Sequence, residues 1–195
     1  MMNSGPVSGL LASFVLVLAL SACSTASSTP PLVVPPPPAE VTASAPPVSG
    51  VPTVDHPLDL RGIRACEALT AEMLQSLDLT ADTASDRSNA NASACGWTAR
   101  DGSFEAGIAL STVRDLRLYY SLRTSFPIFE PEVISGYPAV RVSDVNSGSC
   151  VILVGNADDQ SFSARAGGFS GPLRDLCVTA RDVASAALTS LPPRR

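Results

Sequence analysis

Four cysteines, Cys66, Cys95, Cys150 and Cys177, punctuate the second part of this 195-residue chain in two pairs of similar spacing. No pair has the close CxxC spacing of a zinc site, and no histidine follows position 56, so a metal centre is a poor reading of the set. In an oxidising compartment an even number of thiols pairs instead, and four of them allow three connectivities. The sequential pairing, Cys66 with Cys95 and Cys150 with Cys177, is favoured because it joins neighbours in sequence and staples each outer helix to a strand. Its loops span 29 and 27 residues. Each is worth about 3–4 kcal/mol in the chain-entropy account.

The fifth cysteine bears on the compartment. Residues 10–20, LLASFVLVLAL, form an apolar run of 11 residues, short for a bilayer span and right for the core of an export leader. Leu20-Ser21-Ala22-Cys23 follows at once. An apolar residue and two small ones ahead of a cysteine resemble the bacterial lipobox, in which the cysteine is diacylated and becomes the first mature residue. One acyl chain binds a membrane marginally and two bind it stably, at about 0.8 kcal/mol per buried methylene. Cys23 is therefore expected to be the lipid anchor, with residues 1–22 as the signal peptide.

Residues 24–58 hold ten of the 17 prolines among alanine, serine, threonine and valine, and cannot build a core. With Cys23 they make an expected tether, 23–58. It reaches on the order of 100 Å if fully extended at about 3.1 Å per residue. A single domain is expected over residues 59–195. The formal charge of −5 comes from 18 acids and 13 bases, and all the bases are arginine. An acidic chain with no basic run is unsuited to nucleic acid or anionic lipid surfaces, which need clustered positive charge.

Within the domain, Thr70 is placed to cap a helix over 70–79, with Met73, Leu74 and Leu77 on one face. Residues 78–94 are almost free of apolar side chains and read as a mobile loop. CGWTA (95–99) and FEAGIAL (104–110) read as a hairpin, with Phe104, Ala106, Ile108 and Leu110 turned inward. Thr112 is placed to cap a second helix over 113–126, with Asp115 completing a capping box and one of Tyr119 and Tyr120 facing inward. Short strands follow at 133–134, 137–142, 150–154 and 161–166, separated by turn residues. Pro172 opens a last helix whose stripe is Leu173, Leu176, Val183, Ala184, Ala187, Leu188 and Leu191, and Pro192-Pro193 stops it. The class is α+β: an antiparallel sheet of about five to six strands with helices packed on it, stapled by two disulfides.

The sequence CEALT from Cys66, then Cys95-Gly96-Trp97, then GYPAV at residues 136–140, then Cys150 and Cys177 before an amphipathic helix, resembles the actinobacterial lipoprotein family catalogued as domain of unknown function 3558. Arg64-Ala65 stands where that family often has Asp-Pro. The resemblance covers most of residues 59–191 and implies an exported, membrane-anchored domain on the outer face of the cell membrane. It implies no catalytic residues.

The chemistry left to the domain is narrow. His56, the one histidine, falls in the tether, and without lysine the Ser-His-Asp, Cys-His and Ser-Lys nucleophile arrangements are all unavailable. Glu130 and Glu132 could form a carboxylate pair for glycoside chemistry, but they lie on a strand entry opened by Pro131. Asn156, Asp158 and Asp159 could supply oxygens to calcium, yet lack the flanking ligands of a recognised loop. Gly167, Gly168 and Gly171 could form an anion-binding nest, or simply reverse the chain. Trp97 reads as core packing against a disulfide. No cofactor is expected. The function expected is a membrane-anchored module that binds an envelope protein or a small apolar ligand, with a carboxylate-dependent envelope hydrolase as the alternative.

Overall fold

A computed structural model describes residues 50–143, 148–168 and 173–195. All of the described residues belong to one compact unit. Cys23 lies outside the described residues, as do Gly171 and Pro172.

The sheet has seven strands, all antiparallel: β1 (Ser85–Asp86), β2 (Ser93–Thr98), β3 (Phe104–Ser111), β4 (Glu130–Ile134), β5 (Tyr137–Arg141), β6 (Ser149–Ala157) and β7 (Gln160–Gly168). Their spatial order is β1-β2-β3-β7-β6-β5-β4. Two meanders thus meet where β3 pairs with β7, Phe104 opposite Gly168 and Ser111 opposite Ser161. The α+β antiparallel class stands. The sheet has one strand more than the expected five to six, because residues 78–94 are not the mobile loop that their polarity indicates. They carry a 3-10 turn at Ala81–Thr83 and then β1, which adds an edge strand to β2. Arg87 N–H donates to the Ala94 carbonyl and Asn89 N–H to that of Ala92, which prolongs the ladder to its turn. Backbone hydrogen bonds hold this segment, helped by polar side chains such as Ser88, whose Oγ accepts from Ala94 N–H, and Thr83, whose Oγ1 accepts from Thr98 N–H; neither kind of bond leaves a trace in an apolar pattern.

The helices are α1 (Ala71–Ser76), α2 (Leu116–Ser121) and α3 (Leu173–Ser190). Thr70 caps α1, its Oγ1 accepting from Met73 N–H, and the helix ends early at a left-handed Asp78 with φ 56°. The second helix starts later than the Thr112 cap predicts. Asp115 is the actual cap, accepting from Leu118 N–H, since a carboxylate is as good an N-cap as a hydroxyl and the short 112–115 segment is needed to cross the sheet. Ser135 and Gly136, both at positive φ, make the two-residue turn between β4 and β5.

One face of the sheet is the main core. Ile108, Leu110, Phe162, Ala164, Ile152 and Val154 meet Leu176, Ala180, Val183, Ala184, Ala187 and Leu188 of α3, all buried. Alanines at the contact let the helix lie close to the strands. Both disulfides adjoin this core: Cys66, in a 3-10 turn ahead of α1, bonds Cys95 on β2, and Cys150 on β6 bonds Cys177 on α3. The sequential connectivity is thus present, although the first bridge reaches a turn rather than a helix. Trp97, 1 % exposed, packs in the same core as expected.

Among the described residues, the opposite face is covered over only part of its width. Leu116 and Tyr120 of α2 pack on Val140 and Leu153, with Phe129 edge-on to Tyr120 at 5.1 Å. Helix α2 comes this close because position 155 is glycine: a Cβ there would meet Leu116 Cβ at 3.2 Å. Tyr120, not Tyr119, is the inward tyrosine.

The domain begins earlier than Asp59. Leu58 pairs with Pro193 as an isolated bridge, and its N–H donates to the Asn156 carbonyl at 2.8 Å. Tyr137 Oη donates to the His56 carbonyl at 2.8 Å, and Val51 packs on the second core. Composition marked these residues as spacer, but their backbone groups dock on the fold regardless of proline content. Among the described residues no helix is long and apolar enough to cross a membrane.

Candidate functional site

The residues that sequence reasoning singled out are not brought together. Glu130 is ion-paired with Arg141 on β5, and Glu132 with Arg181 of α3 at 2.6 Å. Both carboxylates flanking Pro131 are thereby paired with arginines of the fold. Glu132 keeps one buried oxygen, Oε1, without a partner.

The calcium candidates also part company. Asn156 is fully buried, its Nδ2 donating to the Leu58 carbonyl at 2.9 Å. Asp158 is exposed, while Asp159 accepts from the guanidinium groups of Arg194 and Arg61. The hydrogen bond from Arg194 holds the Asp159 carboxyl below its ordinary value, with Arg61 adding to the effect. Among the described residues no group of His, Cys, Asp or Glu is placed to hold a metal ion. Gly167 and Gly168 belong to strand β7, opposite Glu105 and Phe104, and form no nest at a helix start. His56 is exposed, and its carbonyl accepts from Tyr137 Oη.

What the structure does assemble is a groove on the part of the sheet that α2 leaves open. Strand register builds it in rows. Gly96 stands opposite Gly107, which stands opposite Arg165; Ala94 stands opposite Ala109, which stands opposite Ser163. Alternation puts these residues on the face away from α3, so the floor consists of backbone, two alanines and a serine. The cavity here measures about 380 Å³. A second cavity, also about 380 Å³, shares Ala109 and Ser163 and continues toward Arg114 and Tyr119. From Glu105 to Ser111 along β3 the floor runs roughly 20 Å at about 3.4 Å per residue.

The walls are charged. Arg87 lies across Gly96, where a Cβ would meet its Cζ at 3.2 Å, and its Nη2 donates to Glu105 Oε2 at 3.1 Å. Arg165 flanks Gly167 on the other side, exposed and, among the described residues, without an ion-pair partner. At the far end Arg114 likewise has no acidic partner among the described residues. Its carbonyl accepts from Ser161 Oγ at 2.8 Å, fixing the chain where it crosses the end of β7. Neither guanidinium can give up its proton near neutral pH, and Glu105 is already paired. This arrangement can hold and orient a ligand.

The groove has a signal in the sequence. Glu105, Gly107, Ala109 and Ser111 alternate with the inward Ala106, Ile108 and Leu110, and Ser161, Ser163, Arg165 and Gly167 alternate likewise on β7. A run of small outward residues on two strands marks an uncovered face only once the strands are known to be neighbours. That adjacency of β3 and β7 is separated by half a domain in sequence.

The family model described as Protein of unknown function (DUF3558) matches residues 18–190, and the chain belongs to that family. No curated protein and no solved structure matches the chain.

Proposed function

We propose that this family member is an exported lipoprotein, anchored through Cys23 on the outer face of the cell membrane, whose domain is a binding module and not an enzyme. The observation that carries the binding half is the open groove over Gly107, Ala109 and Ser163. Its size falls within the range of small-molecule sites, and its floor presents backbone and methyl groups where an enzyme of this composition would need acids. The carboxylates that sequence reading offered for catalysis lie elsewhere and are held by arginines. The anchoring half rests on Leu20-Ser21-Ala22-Cys23 and on the apolar run before it. The proline-rich segment would then hold the module off the membrane, among cell-wall components.

Two measurements test the reading. Cys23→Ser should move the protein out of the membrane fraction or leave its leader uncut; normal processing with unchanged detergent partitioning would reject the anchor. Screening the purified protein against peptidoglycan, glycan and ester substrates should give no turnover. Turnover lost in Glu130→Gln or Glu132→Gln would establish the carboxylate-hydrolase alternative in its place.

A further inference from the structure

Building on the binding-module reading, we infer that the groove takes an anion-headed amphiphile, its carboxylate or phosphate on Arg165 and its apolar body along the Gly107–Ala109–Ser163 floor. Charge points to the head. Within a chain of net charge −5, the described charged residues lining the two joined cavities are Arg87, Arg165, Arg114 and Glu105. Glu105 neutralises Arg87, so the groove carries two uncompensated guanidiniums, one toward each end, in a protein otherwise rich in acids. Most other arginines of the described fold have a carboxylate: Arg61, Arg64, Arg117, Arg141, Arg181 and Arg194 are all ion-paired. Leaving Arg165 free beside a concave surface gives an incoming anion a planar two-pronged donor that no internal group occupies.

The floor points to the rest of the ligand. Gly107 and the edge of Gly167 expose flat backbone, and Ala109 adds a methyl group, so a thin apolar chain can lie against the strands without displacing side chains. In the central rows Ser163 offers the one hydroxyl, and the amides Asn89 and Asn91 lie only toward the Arg114 end, so the apolar body of a ligand belongs on the Gly107–Ala109 stretch. The concave shape also favours a single molecule over a flat bilayer surface, which would meet the walls before the floor.

The test uses the purified full chain, with octyl phosphate, octanoate, octanol and inorganic phosphate as probes in titration calorimetry, the amphiphiles kept below their micelle concentrations. Octyl phosphate or octanoate should bind at one site per chain, with octanol and inorganic phosphate at least tenfold weaker. Arg165→Gln, an exposed change that leaves the fold intact, should weaken the anionic probes by about tenfold or more. Ala109→Leu should weaken octyl phosphate by raising the floor. The inference is overturned if no anionic probe binds saturably, if octanol binds as well as octyl phosphate, if inorganic phosphate alone accounts for the binding, or if Arg165→Gln changes nothing. Binding to anionic vesicles without binding of the monomers would also overturn it. Each of these failures, in the absence of turnover, leaves the module non-catalytic and rejects only this ligand class.

Discussion

The Leu60 amide donates to Gln160 Oε1 at 2.8 Å, a buried hydrogen bond between residues 100 positions apart. Gln160 Nε2 in turn donates to Asp59 Oδ1 at 3.1 Å. Together with the Leu58–Asn156 bonds, this fixes the entry of the domain to the β6–β7 hairpin. Gln160→Ala orphans the Leu60 N–H in a site that water does not reach, at a cost of about 1–3 kcal/mol. Urea denaturation should show that loss, and increased proteolysis should appear within residues 50–60. A stable variant with an unchanged protease pattern would mean that the entry segment is held by other contacts.

Gly107 is required by its neighbours. A Cβ at this position would meet the Cys95 carbonyl oxygen at 2.5 Å, and that oxygen is backbone and cannot swing aside. Gly107→Ala must therefore spread β2 from β3, which places it among overpacking changes costing about 1–3 kcal/mol. Gly102→Ala, at a turn with φ 74° and nothing near the added carbon, is the control for strain without a clash. Equal stability of Gly107→Ala and the parent would contradict the geometry.

The two disulfides should be separable in their effect. Replacing Cys150 and Cys177 together by alanine frees α3 from β6, and replacing Cys66 and Cys95 frees only the turn before α1. Each loss costs about 3–4 kcal/mol if loop entropy governs. Peptide mapping without reduction should recover the 66–95 and 150–177 pairs, and thermal unfolding should rank the variants. Recovery of crossed pairs from the folded protein would refute the connectivity.

Acid should act through Asp159. Its carboxyl titrates below the ordinary 3.8 because Arg194 donates to it, so the folded state favours the ionised form. That contribution is full above the ordinary carboxylate range and fades as pH falls through the folded-state value. The pair is partly exposed, so solvent and salt reduce its worth. Asp159→Asn should lower the urea midpoint at pH 7 and have little effect near pH 2. An equal deficit at both values would show that the residue acts through packing and not through charge.

Local pattern made much of the architecture legible. Thr70 before an apolar face announced α1; Phe104, Ala106, Ile108 and Leu110 announced β3 by their alternation; the long stripe ending at Leu191 announced α3. These signals depend on residues within a few positions of one another, as backbone geometry and burial on one face require. The cysteine pairs were readable for a related reason, since each joins elements that follow one another in the chain. Edge strand β1 was missed because it is held by main-chain groups, which every residue has. The Asp115 cap was missed because two suitable capping residues lie three positions apart, and only the path across the sheet selects between them.

The class of the domain, its cross-links and its want of histidine and lysine follow from residue identity and short-range order. Tertiary structure alone decided which faces meet. It brought β7 beside β3, committed Glu132 to Arg181 and Asp159 to Arg194, and left Arg165 open beside a floor of Gly107 and Ala109. Pairing partners of that kind are set by strand order, and strand order is a property of the whole sheet that no single segment encodes.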